Sequence, residues 1–230
     1  MHAPTDLNSP PDALTLLKAL ASFLGHDYRT PIAQMQGLLH LAVSDTEHRE
    51  DYLPRIQFAA DQVDSMAAMI RLYIRTVYTN VEFQAEEAQP ANVEVLCKIA
   101  VGKYTNRTKA KNVQWDVRCQ ADQWELPAAK GALLVDLLVL NAVTYAKKDS
   151  TILLTCKDCT LKIGNACFAG SSSVASLPFT PFHRYHSTGT GGELGTGLGL
   201  SLAGFLAAQM GVDLVAGFES PEYFTVSLKA

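Results

Sequence analysis

An excess of charge of either sign is missing from this sequence of 230 residues. Nineteen Lys and Arg stand against 23 Asp and Glu, a net charge of −4. A general nucleic-acid binder carries a basic excess, so nucleic acid is not expected as a partner. Long apolar runs are missing as well. The most apolar stretch, residues 131–146, is interrupted by Asp136 and Asn141 and is shorter than the roughly 20 residues that cross a bilayer. No membrane segment is expected in the chain. Residues 1–11 are polar and proline-rich, without the basic and apolar regions of a secretory signal. These absences predict a cytoplasmic protein. The five cysteines are an odd number and fit free thiols. Cys156 and Cys159 form a C-x-x-C, but no second pair follows at zinc-site spacing. The two are expected to flank a tight turn at Lys157-Asp158.

What is present is a globular composition, 48% hydrophobic and 18% charged, long enough for one large domain or two small ones. Residues 1–11 read as a disordered lead, residues 12–80 as two long helices and residues 91–230 as mixed strands and helices. The polar stretch 81–90 reads as a linker. The first helix opens at S-P-P-D, where Ser9 or Asp12 can cap and Pro10 or Pro11 suits a first turn. Its apolar stripe is Leu17, Leu20, Leu24, Tyr28, Ile32, Met35, Leu39 and Ala42. In the second helix Ile56, Ala59, Val63, Met66, Ile70, Tyr73 and Val77 alternate steps of three and four, the seam of a bundle. The short polar segment 44–51 between them predicts an antiparallel hairpin. Two helices of roughly 30 residues, about 45 Å long, cannot bury such a seam alone. A second copy would complete a four-helix bundle, so a homodimer is expected. The alternative is a hairpin packed on its own C-terminal domain.

Beyond residue 90 the pattern predicts helices over 93–105, 128–146 and 198–210. It predicts strands over 113–119, 151–156, 161–165, 212–218 and 223–228. The fold class is therefore α+β. An antiparallel helical hairpin forms a four-helix bundle by dimerisation, and an α/β sandwich follows, a mixed sheet covered on one face by helices.

Three stretches carry chemistry. The first is His26-Asp27-Tyr28-Arg29-Thr30-Pro31. His26 lies two residues past Leu24 and two before Tyr28, which turns it off the apolar stripe. Pro31 falls inside an otherwise continuous helix, where it costs about 3 kcal/mol. A neutral imidazole is a nucleophile toward a phosphoryl group. Asp27 can accept its proton or orient the ring. Thr30, one turn on, can position a water for the reverse hydrolysis. A surface histidine beside an aspartate is the plainer alternative.

The second stretch, Asn141-Ala142-Val143-Thr144-Tyr145-Ala146, ends the apolar helix. A buried amide needs a partner, and Mg²⁺ on phosphates takes one or two protein oxygens. A helix-end asparagine is the alternative. The third, Gly195-Thr196-Gly197-Leu198-Gly199-Leu200, leads into a helix. Glycines there let backbone approach phosphates, and the helix N-terminus favours their charge. The small residues 187–192 suit a lid. No G-K-[ST] follows, and the G-x-G-x-x-G spacing of a dinucleotide fold is absent.

H-D-Y-R-T-P resembles the histidine-kinase phosphoacceptor motif H-[ED]-x-x-T-P. The later stretches resemble, in order, the N box, F box and second glycine box of that family's ATP-binding domain. The F box corresponds to Phe179-Thr180-Pro181-Phe182, followed by His183-Arg184. The resemblance spans roughly residues 14–230. It implies that His26 is phosphorylated, with Asp27 as acidic helper and Thr30 as the phosphatase-type polar residue. It implies that Asn141 holds Mg²⁺, that Tyr145 lies near the nucleotide and that Phe179 and Phe182 anchor the lid. Arg184 would reach the phosphates, and Gly195, Gly197, Leu198 and Gly199 would form the phosphate-facing turn. The cofactors implied are ATP and Mg²⁺, and the partner is a response-regulator receiver domain.

The first glycine box, D-x-G-x-G, is replaced by Asn165-Ala166-Cys167-Phe168-Ala169. Asn165 keeps an acceptor for the adenine amino group but loses the charge-assisted bond, about 1.5–3 kcal/mol, for a neutral one nearer about 1. The basic residue of the N box is Thr144 here, with Lys147 and Lys148 as candidate substitutes. Related ATPases carry a water-activating glutamate four residues before the asparagine. That position is Leu137, and Asp136 points about 100° away. The expected function is therefore ATP-dependent autophosphorylation of His26 and transfer to a receiver aspartate. The runner-up is a non-catalytic phosphotransferase or adaptor with a degenerate nucleotide domain, and a weaker third is a bare ATPase.

Overall fold

The protein's computed structural model describes residues 12–79, 89–120, 124–168, 179–184 and 195–230. The lead (1–11), all but two residues of the linker (80–88) and the expected lid (187–192) lie outside the described residues. The chain divides into two compact units, Pro11–Tyr73 and Ile74–Ala230.

In the first unit Asp12 caps helix α1 (Ala13–His26), its carboxylate accepting from the Thr15 amide at 2.9 Å. The expected single long helix is in fact two. α1 stops at His26, and α2 runs over Arg29–Ser44. At the break the Phe23 carbonyl accepts from both the Asp27 amide (2.8 Å) and the Tyr28 amide (3.0 Å). Pro31 explains the break. It has no N–H for the Asp27 carbonyl, and the restart at Arg29 puts it in the first turn of α2, where amides lack helical partners anyway. The cost expected for a mid-helix proline is thereby avoided. Asp45 organises the following turn, accepting from Tyr52 Oη at 2.9 Å and meeting His48 Nδ1 at 3.1 Å. Arg49 Nε donates to the Ala42 carbonyl at 2.9 Å.

Helix α3 (Arg49–Ile74) buries the stripe read from its sequence: Ala59, Met66 and Tyr73 are buried. In the first two helices the expected stripe is only partly buried. Phe23, Pro31 and Ala42 are buried, while Leu17, Leu24 and Leu39 stay 60%, 43% and 50% exposed. Three of the eight stripe residues of these two helices are thus uncovered within one chain.

The second unit opens with a π-helical turn, Arg75–Thr79. Its elements are β1 (Pro90–Asn92), α4 (Val93–Lys103), α5 (Thr105–Ala110), β2 (Gln114–Cys119), β3 (Glu125–Pro127), α6 (Ala128–Tyr145), β4 (Thr151–Lys157), β5 (Thr160–Ala166), α7 (Gly199–Gln209), β6 (Asp213–Ser220) and β7 (Tyr223–Lys229). Five strands form a mixed sheet in the order β2-β4-β5-β7-β6, parallel only between β2 and β4. The α/β sandwich expected from sequence is present. Alternation along β4 buries Ile152, Leu154 and Cys156; α6 packs on β5, and α7 on β6. Leu134, Leu138, Leu161, Leu198, Leu202, Leu206 and Leu228 complete the core.

Several details differ from the sequence reading. β1 and β3 pair in a small separate sheet, and α5 is a short extra helix; strands of three residues leave no periodicity to read. The β4–β5 turn is centred on Asp158 and Cys159, at φ 50° and 53°, one residue later than expected. A two-residue hairpin needs that left-handed pair. Counted from Ala128, α6 reaches 18 residues and is long and apolar enough to cross a bilayer by length and composition, contrary to the expectation from sequence. Here it is a core helix, with Leu134, Val135, Leu137, Leu138 and Val139 buried. Asp136 accepts from Lys103 Nζ at 2.8 Å and from Tyr104 Oη at 3.1 Å, which joins α6 to α4.

Leu154, fully buried on the central side of β4, sets a test of this core. Leu154→Ala should lower unfolding stability by about 2–5 kcal/mol, read as a shifted urea midpoint.

Candidate phosphoacceptor and nucleotide sites

His26 is the last residue of α1, and its side chain is exposed. Asp27, half-buried, occupies the break. Thr30 Oγ1 donates to the His26 carbonyl at 3.1 Å. That bond ties the first turn of α2 to the end of α1 across the interruption. The imidazole is therefore open to solvent at the end of α1.

In the second unit the C-terminal end of α6 carries the polar pair. Asn141 and Tyr145 are four residues apart, on one face, and both are half-buried. The turn is held from behind by Lys111, whose Nζ donates to the Val143 carbonyl at 3.0 Å and the Thr144 carbonyl at 2.9 Å. In front, the Tyr145 hydroxyl abuts Gly195 so closely that a Cβ there would collide with it. Arg184 Nη1 donates to the Gly195 carbonyl at 2.8 Å.

Gly197 has φ 69°, and a Cβ on it would lie 2.6 Å from the Phe182 carbonyl carbon and 2.7 Å from the His183 oxygen. Both the handedness and the space require glycine. The Phe182 amide donates to the Gly197 carbonyl at 3.0 Å, and Phe182 itself has φ 62°. The Phe179–Arg184 and Gly195–Leu198 stretches are thus interlocked backbone to backbone. Leu198 is fully buried and pins the turn to the core. Thr196 Oγ1 accepts from the Leu198 amide at 3.2 Å. Gly199 opens α7, and a Cβ on it would meet nothing within 4 Å.

Asn165 ends the buried part of β5, 2% exposed, and its Nδ2 donates to the Ala166 carbonyl at 3.2 Å. The Lys147 amide donates to that carbonyl at 2.8 Å, so the ends of α6 and β5 meet. Cys167 is buried, which pushes its thiol pKa up. Lys147, weighed above as a stand-in for the N-box base, instead pairs with Glu222 at 2.9 Å and lies 6.0 Å from the centre of the Phe168 ring.

Contacts thus join Tyr145, Arg184, Gly195, Gly197 and Leu198, with Asn141 one turn below Tyr145 and Asn165 beside the point where α6 and β5 meet. Lys111 was not read from sequence, because nothing in A-K-N-V distinguishes it from a surface lysine. Glycine backbone and carboxamide side chains are the groups that a nucleotide's phosphates, base and cation would call on. Among the described residues no three His, Cys, Asp or Glu side chains converge as a metal cage. A lone carboxamide oxygen such as that of Asn141 suits a cation held mainly by phosphates.

No protein-family model matches the chain. It is 22% identical over 202 residues to the sensor protein VanSC of Enterococcus gallinarum, covering 86% of this chain and 56% of that protein. The chain therefore spans somewhat over half the length of that curated relative. Among solved structures, histidine kinase ThkA in complex with the response regulator TrrA matches with TM-score 0.65 at 12% identity, over 94% of this chain and 62% of that one. Full-length ShkA in complex with AMPPNP matches with TM-score 0.60 at 17% identity, over 91% of this chain and 44% of that one. At these identities the likeness establishes the fold, a helical hairpin followed by the histidine-kinase type of α/β sandwich.

Gly197 and Gly199 make a paired test of the interlocked loops. Gly197→Ala should open the 179–184 segment, seen as faster tryptic cleavage after Arg184. Gly199→Ala, at a helical position with open space, should leave cleavage unchanged and stability within about 1 kcal/mol of the parent.

Proposed function

We propose that this chain, whose fold is that of the histidine-kinase catalytic core, is a histidine kinase of a two-component system. It phosphorylates itself on His26 from ATP and passes the phosphoryl group to an aspartate of a response-regulator receiver domain. The observation that carries this reading is the exposed imidazole of His26 at the helix break, flanked by Asp27 and Thr30. Residues 12–80 then serve as the dimerisation and phosphotransfer hairpin, residues 81–90 as the linker and residues 91–230 as the ATP-binding domain. This reading places the chain in the cytoplasm, where ATP and receiver domains are found.

A ring nitrogen of neutral His26 attacks the γ-phosphorus, the P–O bond to ADP breaks, and the proton on the other ring nitrogen passes to Asp27. Thr30 acts in the reverse hydrolysis, positioning water. Backbone at Gly195, Gly197, Leu198 and Gly199 faces the phosphates, and Arg184 donates to them. Tyr145 lies against the nucleotide, and Asn165 accepts from the adenine amino group. Asn141 would hold Mg²⁺, whose chemistry there is to neutralise phosphate charge. Transfer is favoured over hydrolysis because the water-activating position is Leu137, buried and without a carboxylate. A receiver partner is supported by the ThkA–TrrA complex, and nucleotide binding by the ShkA complex with AMPPNP. Homodimerisation is supported by the uncovered Leu17, Leu24 and Leu39.

A second reading, a non-catalytic adaptor, rests on Cys167. A buried side chain occupies the position of the first glycine of the missing box. Incubation with γ-labelled ATP decides between them. The kinase reading expects acid-labile, alkali-stable label on wild type and background label on His26→Gln. Unlabelled wild type that also shows no Mg-ATP affinity in a calorimetric titration would leave the adaptor standing. Sedimentation should find a dimer for the parent and a monomer for Leu17→Asp/Leu24→Asp.

A further inference from the structure

Among the described residues Lys111 is the only charged side chain in the buried interior, 7% exposed. An ammonium taken out of water is costly unless its donors are met. Two of the three donors of Lys111 go to one place, the Val143 and Thr144 carbonyls. These belong to the last turn of α6, whose carbonyls have no amides four residues on within the helix. The last bond of the helical pattern is the Ala146 amide to the Ala142 carbonyl at 2.9 Å. The C-terminal end of a helix is also its negative end, where a cation is favourable.

The base of Lys111 is itself fixed. Its amide donates to the Thr108 carbonyl at 3.1 Å, and its carbonyl accepts from the Asp149 amide at 3.2 Å. The neighbouring Asn112 Nδ2 reaches Asp149 Oδ1 at 2.6 Å. The turn before β2 is therefore strapped to the 147–150 loop, and Lys111 reaches from that strap into the end of α6. The turn it holds carries Tyr145, which touches Gly195, and lies directly above Asn141.

We propose that Lys111 is a positioning residue of the nucleotide site. By capping the last turn of α6 it sets where Asn141 and Tyr145 stand relative to the Gly195–Leu198 turn. The inference rests on the reading above that these residues meet ATP. Lys103 provides the matching control. It too joins α6 to a neighbour, through Asp136 at 2.8 Å, but more than a turn from Asn141 and without contact to the helix end.

The test titrates Mg-ATP calorimetrically into the full chain and into Lys111→Met, Lys111→Arg and Lys103→Met, with urea unfolding of each. Lys111→Met should weaken binding by about tenfold or more, as displaced contact groups do. Lys111→Arg, which can donate to the same two carbonyls, should recover most of the loss. Lys103→Met should lower stability yet bind within about twofold of wild type, as a distant site does. Amide exchange at residues 144–146 should quicken in Lys111→Met and not in Lys103→Met. Lys111→Gln makes the same comparison if the methionine variant does not fold. Equal weakening by the Lys111 and Lys103 variants, or unchanged binding in Lys111→Met beside a binding wild type, would overturn the inference alone. A wild type that binds no Mg-ATP would overturn the functional reading on which it stands.

Discussion

The packing of α6 between the sheet, α4 and α7 is the constraint on which the second unit depends. One helix has to supply the centre of the apolar core and end in a polar face. Leu134, Leu138 and Val139 are almost wholly withdrawn from water, each contributing on the order of 1.5–3 kcal/mol. Gly131 lets the helix approach closely, since a Cβ there would lie 2.8 Å from that of Leu126. With the apolar side fixed in this way, the helical repeat leaves little choice about where Asn141 and Tyr145 emerge. Lysines fasten the helix at two levels, Lys103 through Asp136 and Lys111 through the terminal carbonyls.

The loop facing that helix end is built largely from backbone. Gly195 and Gly197 are each hemmed in, one by a tyrosine hydroxyl and the other by the chain at Phe182 and His183. Such close approach leaves room for backbone and not for a Cβ at these two positions. At the end of β5 the chain is closed by side chains instead. Cys167 and the neutral Asn165 are both buried there, at 3% and 2% exposed.

The hairpin follows a different logic. Pro31 denies a donor to the Asp27 carbonyl, and the helix answers by stopping and restarting rather than by bending. That interruption falls directly after His26 and gives the imidazole a helix end on which to stand. The exposed leucines along α1 and α2, set against the well-buried stripe of α3, leave an apolar seam that a single hairpin does not close.

Much of this was legible in the residues. Steps of three and four forecast α3, because burial acts on periodicity directly, and the residue pattern also forecast β4, β5 and the final hairpin. The Gly195–Leu198 turn was legible because glycine marks backbone proximity. Other features depend on partners distant in sequence. Lys111 reads as a surface lysine until the turn before β2 is laid against the end of α6. Asp136 reads only as an interruption of an apolar run until Lys103 and Tyr104 are found on it. The β1–β3 pair is too short to carry a period. Local composition determined which elements form and where the chain must come close to something. Only the tertiary structure decided which charges are buried and what holds the helix end, because those depend on contacts across 30 or more residues that no local pattern encodes.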